Sequence, residues 1–201
     1  MKTRRRGAGI YDFPKSRRVT YKSLRMTPEG EYSMTKRSDG EKLLRIMRGT
    51  LKSLKDKTIT DLTGNVGSDT ILFGLHFKDV KSIEINAENF EVLKHNVETY
   101  GLSNVELFLG DSTKLYNWDT DVLYIDAPWG GPDYKLKQNL DLFLGDVRLD
   151  TFLSEVITRK NKPSYIVLKL PRNYNFARLY ELGVRVKVSK IRGFFVAILT
   201  L

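Results

Sequence analysis

The pattern of apolar and polar positions predicts one long amphipathic helix near the start of the chain. The apolar residues that recur at helical spacing are Leu43, Leu44, Met47, Leu51 and Leu54. Residues at this spacing share one helix face. Ser38 and Glu41 have the spacing of a capping box, in which each side chain bonds to the other residue's backbone N–H. The pattern therefore predicts a helix over residues 38–54 that packs on a sheet.

The remainder of the chain alternates between short apolar runs and amphipathic stretches. The apolar runs predict strands over residues 58–62, 80–85, 105–109, 122–126 and 165–170. Helices are predicted between strands, as over residues 87–100 and 150–160. Strands that alternate with helices form a parallel sheet, because a helical crossover returns the chain to the same edge. We therefore expect an α/β fold.

A hairpin is predicted at the end of the sequence. Apolar runs at residues 184–190 and 194–200 are separated by a short turn at Arg192 and Gly193, and such turns join antiparallel strands. The seven predicted strands then form a mostly parallel sheet with a C-terminal antiparallel hairpin, which is the pattern of Rossmann-like class I methyltransferases. Sheets of this kind bind ligands beyond the carboxyl ends of their strands. Residues directly after each strand are therefore the candidates for ligand binding and catalysis.

Composition narrows the class of protein. The 201 residues, 41% of them hydrophobic, suffice for one well-packed domain. No apolar run approaches the ~20 residues that cross a bilayer, and the arginine-rich start lacks the apolar stretch of a secretory signal. With no cysteine and only His76 and His95 as histidines, the sequence predicts no metal site. We expect a soluble, intracellular monomer, in the cytoplasm or the nucleus.

Positive charge is concentrated at the start of the chain. The net charge is +10, and residues 1–25 hold nine Lys or Arg against one acid, Asp12, which leaves +2 for the remainder. We predict a basic N-terminal arm and leading segment over residues 1–37 and a folded domain over residues 38–201. Clustered cations beside a domain favour contact with a polyanion such as RNA. A solvated tail has the same composition and stays an alternative.

Acidic residues follow three successive predicted strands. The first strand ends at Asp61 and leads into a turn in which Gly64 and Gly67 permit a close approach of backbone to ligand, one glycine short of the dinucleotide fingerprint. Glu84 ends the second strand about 20 residues beyond the turn, where an acid reaches ribose hydroxyls. Asp111 follows the third strand, where a carboxylate accepts a bond from an adenine amine. Together these acids indicate a nucleoside cofactor.

The fourth strand ends in the most specific segment, Asp126-Ala127-Pro128-Trp129. The lone pair of an exocyclic amine on a nucleobase is delocalised into the ring, so the amine has to be oriented before it reacts. The Asp126 carboxylate and a nearby backbone carbonyl could accept both amine hydrogens and aim the nitrogen at a methyl donor. Pro128 makes the bend rigid, and Trp129 could stack on the base. A plain turn with a buried tryptophan is the alternative.

Three segments resemble trimethylguanosine synthases, which methylate N2 of a 7-methylguanosine RNA cap. They are residues 128–134 (Pro-Trp-Gly-Gly-Pro-Asp-Tyr), 170–173 (Leu-Pro-Arg-Asn) and 29–35 (Glu-Gly-Glu-Tyr-Ser-Met-Thr). The resemblance covers roughly residues 20–201. It departs from the family pattern at Ala127, where the family has proline, at Glu31, where it has an aromatic residue, and at Lys36-Arg37, where it has Pro-Glu.

The resemblance implies roles for individual residues. The residues implied to contact S-adenosylmethionine are Thr35, Asp61, Gly64, Glu84 and Asp111. Ser33 and Trp129 would enclose the 7-methylguanine, and Arg172 would meet the cap phosphates. The guanidinium of Arg172 also suits that task on its own chemistry. Asn173, which follows Arg172 in the motif, and Lys36, a cation at a departure from the family pattern, complete the predicted substrate contacts.

The sequence leaves three functions open. The favoured one is transfer of methyl from S-adenosylmethionine to N2 of the 7-methylguanosine cap of RNA, which forms a di- or trimethylguanosine cap, with Asp126, Pro128 and Trp129 as the catalytic group. The second is methylation of internal guanine-N2 or adenine-N6 positions of RNA or DNA, because such enzymes share an Asp-x-Pro-aromatic segment. The third is a cap-binding protein that has lost catalysis.

Overall fold

The computed structural model describes residues 9–201, so Arg4, Arg5 and Arg6 of the predicted arm lie outside the described residues. Nine strands are present in this part of the chain: β1 (Thr58–Asp61), β2 (Asp79–Glu84), β3 (Val105–Leu109), β4 (Val122–Ile125), β5 (Phe143–Leu144), β6 (Val147–Arg148), β7 (Tyr165–Pro171), β8 (Arg185–Ile191) and β9 (Phe194–Thr200). The α-helices are α1 (Pro28–Ser33), α2 (Arg37–Leu51), α3 (Ser68–Gly74), α4 (Ala87–Tyr100), α5 (Ser112–Leu115), α6 (Leu149–Thr158) and α7 (Ala177–Tyr180). Three short 3-10 turns occur at Gly9–Asp12, Tyr21–Ser23 and Pro132–Leu136.

Seven strands form one sheet in the order β3-β2-β1-β4-β7-β9-β8. The first five of these are parallel, whereas β9 runs antiparallel to both β7 and β8. This arrangement confirms the predicted fold class, including the C-terminal hairpin. Strands β5 and β6 form a separate small hairpin that the sequence analysis did not predict.

Helices cover both faces of the sheet. Alternate residues of a strand point to opposite faces, and Val122 and Tyr124 of β4 pack with the apolar face of α2. Leu123 and Ile125 pack on the other face with α6. The central strands are therefore buried on both sides, as their nearly continuous apolar sequences require.

The predicted start of α2 is wrong. The helix begins at Arg37 with Lys36 as its N-cap, and no side chain caps it, so Ser38 lies inside the first turn instead of forming a capping box with Glu41. The Arg37 guanidinium donates to the Phe13 carbonyl at 2.7 Å. A tertiary contact thus ties the helix start to the preceding segment, while the Lys36 carbonyl accepts the first backbone hydrogen bonds of the helix.

The described part of the predicted arm contributes to the hydrophobic core. Phe13, Leu24 and Met34 are buried against Leu93 and Val97 of α4. The proposed boundary at residue 37 stays a prediction. Among residues 9–201, none of the helices combines the length and the apolar character that a bilayer crossing requires.

Candidate active site

The carboxyl edge of the sheet brings a lysine and an aspartate side by side. Ile125 of β4 is paired with Leu168 of β7, so the next residues in each strand direction, Asp126 and Lys169, are also neighbours. The Lys169 ammonium donates to Asp126 Oδ2 at 2.5 Å and to Thr35 Oγ1 at 2.9 Å. The side chains of Lys169 and Asp126 retain only 6% and 18% of their exposure. This buried ion pair joins β4, β7 and the segment before α2.

Asp69 of α3 extends this cluster. Its Oδ2 accepts hydrogen bonds from Thr35 Oγ1 at 2.6 Å and from the Tyr124 hydroxyl at 2.9 Å. Its Oδ1 is buried and has no hydrogen-bond partner among the described residues. Thr35 therefore bridges a carboxylate of α3 and the ammonium of β7.

Asp61 is connected to Asp126 through Thr63. Asp61 is fully buried and accepts bonds from the Thr63 backbone N–H at 3.0 Å and from Thr70 Oγ1 at 2.7 Å. The Asp126 backbone N–H donates to Thr63 Oγ1 at 2.9 Å. The turn after β1 and the bend after β4 are thus held together by side-chain hydrogen bonds.

Burial determines the protonation of these carboxyl groups. Loss of solvent, reinforced by the charge of Asp69, raises the pKa of Asp61 to about 7. Burial likewise raises the pKa of Asp126 to about 6, although the Lys169 ammonium opposes the rise. Burial works to lower the pKa of Lys169, but the charges of Asp126 and Asp69 outweigh it and raise the pKa. Lys169 is therefore a cation at neutral pH.

Glu84 fixes the glycine turn to the end of β2. Its Oε2 accepts from the Asn65 backbone N–H at 2.6 Å, and its Oε1 accepts from the Asn86 backbone N–H at 2.8 Å. Burial raises the pKa of Glu84, and these two hydrogen bonds oppose that rise. The Asn65 side chain donates to Ser33 Oγ at 2.7 Å. Ser33 therefore lies beside this turn.

Gly64 is required by packing within the protein itself. A Cβ atom at this position would lie 2.5 Å from Ser82 Oγ and 2.9 Å from Leu93 Cδ2. Gly67, with φ of 98°, has a left-handed backbone and is the N-cap of α3. The turn is therefore pressed against β2 and α4, which explains Gly64 without a ligand.

Asp111 lies at the end of β3 beneath the small hairpin of β5 and β6. It caps α5 by accepting from the Thr113 backbone N–H at 3.0 Å, and a Cβ at Gly145 would lie 3.3 Å from its Oδ2. Burial acts to raise the pKa of Asp111, but the bonds from Thr113 and the charge of Lys114 lower it overall. Asp111 is therefore a carboxylate at neutral pH.

Exposed apolar side chains occur at the same edge of the sheet. Ile85 directly follows Glu84 and is 59% exposed, and Leu109 ends β3 and is 49% exposed. Phe143 of β5 is 46% exposed. These residues were not predicted from the sequence, although an apolar residue directly after the acid that ends a strand is a signal that could have been used.

Trp129 is half-buried beside the ion pair. Its ring lies 5.0 Å from the Tyr134 ring and 6.4 Å from the Phe194 ring, measured between centroids. The Lys169 ammonium lies 5.7 Å from its centroid. Its indole N–H is buried without a full hydrogen bond to any described residue, but it is close enough to help lower the pKa of Asp126.

The remaining predicted substrate residues lie around this bend. Asn173 donates through Nδ2 to the carbonyls of Tyr134 and Lys137, both at 2.7 Å, and so anchors the loop that follows Trp129. Arg172 is exposed and donates to the Arg192 carbonyl in the β8–β9 turn. Lys36 is exposed at the start of α2.

The structure therefore brings together several of the predicted residues and adds others. Thr35, Asp61 and Asp126 share one hydrogen-bonded cluster, while Asp111 lies further along the edge of the sheet. Lys169 and Asp69 were not identified from the sequence. A lysine inside the apolar run of β7 is a signal that could have been used, because lysine is seldom buried without a partner.

The chain is similar in sequence to known proteins. A family model described as RNA cap guanine-N2 methyltransferase matches residues 56–198. The chain is 32% identical over 132 residues to the uncharacterized protein L320 of Acanthamoeba polyphaga mimivirus, which covers 64% of this chain and 51% of the relative. It is 30% identical over 147 residues to trimethylguanosine synthase of Schizosaccharomyces pombe, which covers 69% of this chain and 60% of the relative. The chain thus spans between half and three-fifths of these relatives.

The fold is also similar to solved structures. A SAM-dependent methyltransferase from Aquifex aeolicus superposes with a TM-score of 0.58 at 20% identity, over 80% of this chain and 88% of that chain. At this identity the likeness shows the fold alone. That fold is the Rossmann-like one expected from the alternation of strands and helices.

Proposed function

Because the chain belongs to the RNA cap guanine-N2 methyltransferase family, we propose that it transfers the methyl group of S-adenosylmethionine to the exocyclic N2 of a 7-methylguanosine RNA cap. The family assignment confirms the resemblance seen in the sequence. The observation that carries the proposal is the placement of Asp126 and Trp129 beside the Asp61 turn, at the carboxyl edge of the sheet.

S-adenosylmethionine is the cofactor of this fold and family. The donor set at the edge of the sheet fits it. Each carboxylate oxygen has two lone pairs, so Glu84, whose oxygens each accept one backbone bond, can still accept from ribose hydroxyls. Ile85 offers an exposed apolar surface for adenine, and Asp111 an acceptor for its amine. When bound, the cofactor supplies an electrophilic methyl group on a sulfonium.

Asp126 orients the reacting amine in this proposal. Its carboxylate accepts an N–H bond from the guanine N2 amine, which directs the nitrogen lone pair toward the methyl group. Transfer would form a nitrogen–carbon bond, break the carbon–sulfur bond of the cofactor and leave the electron pair on sulfur. The nitrogen then releases one proton, for which the Asp126 carboxylate is a nearby acceptor. Trp129 holds the plane of the base by stacking.

The charge of the cluster suits cationic ligands. The carboxyl groups of Asp126, Asp69 and Asp39 all act on one buried ammonium, that of Lys169. A sulfonium and a 7-methylguanine are both positively charged, and the electron-rich indole face attracts a cation further. This excess of acidic groups supports a 7-methylated guanine over an unmethylated one.

Contact with the RNA chain is proposed for the basic arm and the helix that follows it. A groove of about 360 Å³ is lined by Lys15 of the arm and by Arg37, Arg45 and Arg48 of α2, with Glu41 as its acid. Arg37 is two residues from Thr35, so the groove begins close to the cluster. Clustered cations attract phosphates.

The test is methyl transfer from S-adenosylmethionine to 7-methyl-GTP, with the position of the new methyl found by mass fragmentation. The proposal expects the methyl on N2. Activity on uncapped oligonucleotides with none on 7-methyl-GTP would instead select internal base methylation. Cap binding without any calorimetric affinity for S-adenosylmethionine would select the binding protein.

A further inference from the structure

Lys169 is the one charged residue of β7, a central strand that is otherwise apolar apart from Tyr165. It is 5% exposed, and its ammonium bonds to Asp126 Oδ2 and Thr35 Oγ1. Replacement of both members of a buried ion pair by apolar side chains costs little stability, whereas removal of one member leaves the other charge buried and unpaired. An ion pair retained at the candidate site therefore points to a role beyond stability.

The role of Asp126 requires a carboxylate. Only the ionised form accepts bonds with both oxygens, whereas a protonated carboxyl donates from one of them. Burial raises the pKa of Asp126 to about 6 even with Lys169 present. The ionised state at neutral pH is thus held against desolvation.

Acidic groups outnumber cations around Asp126. The titratable groups that face the Asp126–Lys169 pair from the packed elements are Asp61 of β1, Asp69 of α3, Tyr124 of β4 and, for Lys169, Asp39 of α2. The negative charge of Asp69 acts to protonate Asp126, and Lys169 is the cation that acts against it. No other cation among these groups supplies that effect.

We propose that Lys169 is a positioning residue for methyl transfer, whose ammonium fixes Asp126 Oδ2 and holds Asp126 ionised so that Oδ1 faces the amine. The substrate in this statement rests on the proposed function, but the effect on Asp126 is a property of the protein alone. The same ammonium lies 5.7 Å from the Trp129 centroid and 5.2 Å from the Phe194 centroid. Asp126 and Trp129, the two residues assigned to the base, thus both lie beside this ammonium.

The direct test is the titration of Asp126 in the full chain, followed by ¹³C NMR of labelled aspartate carboxyls and assigned with Asp126→Asn. Lys169→Met removes the charge at similar length, and Lys169→Arg keeps it. We expect the Asp126 titration to move up by at least about one pH unit in Lys169→Met and to stay near the wild-type position in Lys169→Arg. An unchanged titration in Lys169→Met overturns the proposal. If Lys169→Met does not fold, Lys169→Gln takes its place under the same criterion.

Activity gives a second readout. Methyl transfer by Lys169→Met is expected to be at least about twofold slower at pH 7 and to recover as the pH rises above the shifted titration, because Asp126 then ionises unaided. In an Asp126→Asn background, Lys169→Met is expected to add no further loss. A loss of equal size at every pH, with an additive double variant, indicates a structural role and overturns the proposal.

These measurements separate the two proposals. If the wild-type chain methylates no guanine N2, the proposed function fails, while the carboxyl titration still decides the effect of Lys169 on Asp126. Calorimetric binding of S-adenosylmethionine by each variant shows that the cofactor site is folded.

Discussion

Two halves of the carboxyl edge of the sheet differ in how their polar groups are satisfied. In the half formed by β1, β2 and β3, Glu84 and Asp111 accept hydrogen bonds from backbone N–H groups of the adjacent turns. In the half formed by β4 and β7, Asp126 is paired with a long side chain, that of Lys169. Two buried atoms on this side have no partner among the described residues: the Trp129 indole N–H and Oδ1 of Asp69, an α3 residue that bonds to Tyr124 of β4.

This difference indicates that the two halves of the edge have different roles. Buried polar atoms are nearly always hydrogen-bonded, so the two unpaired atoms of the second half are available to a ligand. In the first half, backbone hydrogen bonds hold the turns after β2 and β3 in one geometry. Changes in the second half should therefore affect methyl transfer, and changes in the first half should affect folding and cofactor binding.

The largest effect is expected from Asp126→Asn. The amide keeps the shape of the side chain but accepts with only one oxygen, so turnover should fall by about 10²–10³-fold. Cofactor affinity, measured by calorimetry, should change little. Asp119→Asn, an exposed aspartate before β4, is the matched control and should behave as wild type. Equal losses in the two variants would contradict the role of Asp126.

Trp129→Ala should weaken substrate binding. Stacking on a base is worth about 1–3 kcal/mol, which corresponds to a rise in KM of roughly 5- to 150-fold. The control is Trp118→Ala. Trp118 stacks on Phe108 at 4.8 Å and donates to Thr60 Oγ1 at 3.0 Å, so its loss should lower the melting temperature more than it raises KM. Normal binding of 7-methyl-GTP by Trp129→Ala would refute the stacking.

Gly64→Ala tests the packing of the glycine turn in the first half. The new methyl group would be forced against Ser82 and Leu93, which should cost about 1–3 kcal/mol in the free energy of unfolding. Gly49→Ala in α2 has nothing within 4 Å of its new Cβ and should stabilise the helix by about 0.5–1 kcal/mol. Denaturant unfolding should show a lower free energy of unfolding for Gly64→Ala and a higher one for Gly49→Ala. A neutral Gly64→Ala would mean that the turn is loosely packed.

The smallest effect concerns the basic groove. Arg45→Gln combined with Arg48→Gln should weaken binding of capped RNA several-fold and reduce the slope of log affinity against log salt by about 2. Methyl transfer to 7-methyl-GTP should be unaffected. Lys160→Gln with Lys162→Gln, between α6 and β7, removes the same charge elsewhere. An equal change of slope in both pairs would leave the groove without a specific role.

Sequence patterns predicted the sheet because its strands are encoded locally. The run at β3 and the run at β9 have the predicted bounds, and α4 begins and ends where its periodicity indicates. The capping box at Ser38 was mispredicted because α2 begins one residue earlier, at Arg37, whose side chain bonds to Phe13, 24 residues away. The β5–β6 hairpin was missed because two-residue strands carry no periodic signal.

The candidate site was predictable in part for the same reason. Asp61, Glu84 and Asp126 each follow or end a strand, so the topology alone places them at one edge. The pairing of Lys169 with Asp126 depends on which strand lies beside β4, and that order is set by tertiary packing. Asp69 was overlooked because it lies in a helix whose sequence gives no sign of which face meets Thr35. The assignments to cofactor and substrate stay predictions.

The most direct test of the account is the ratio of kcat/KM for 7-methyl-GTP to that for GTP, measured with the wild-type chain. Stacking of a cationic base on Trp129 within an acidic cluster should favour 7-methyl-GTP by about tenfold or more. Mass fragmentation should place the new methyl on N2. Equal kcat/KM values for the two nucleotides would contradict the claim that Asp126 and Trp129 hold a positively charged guanine.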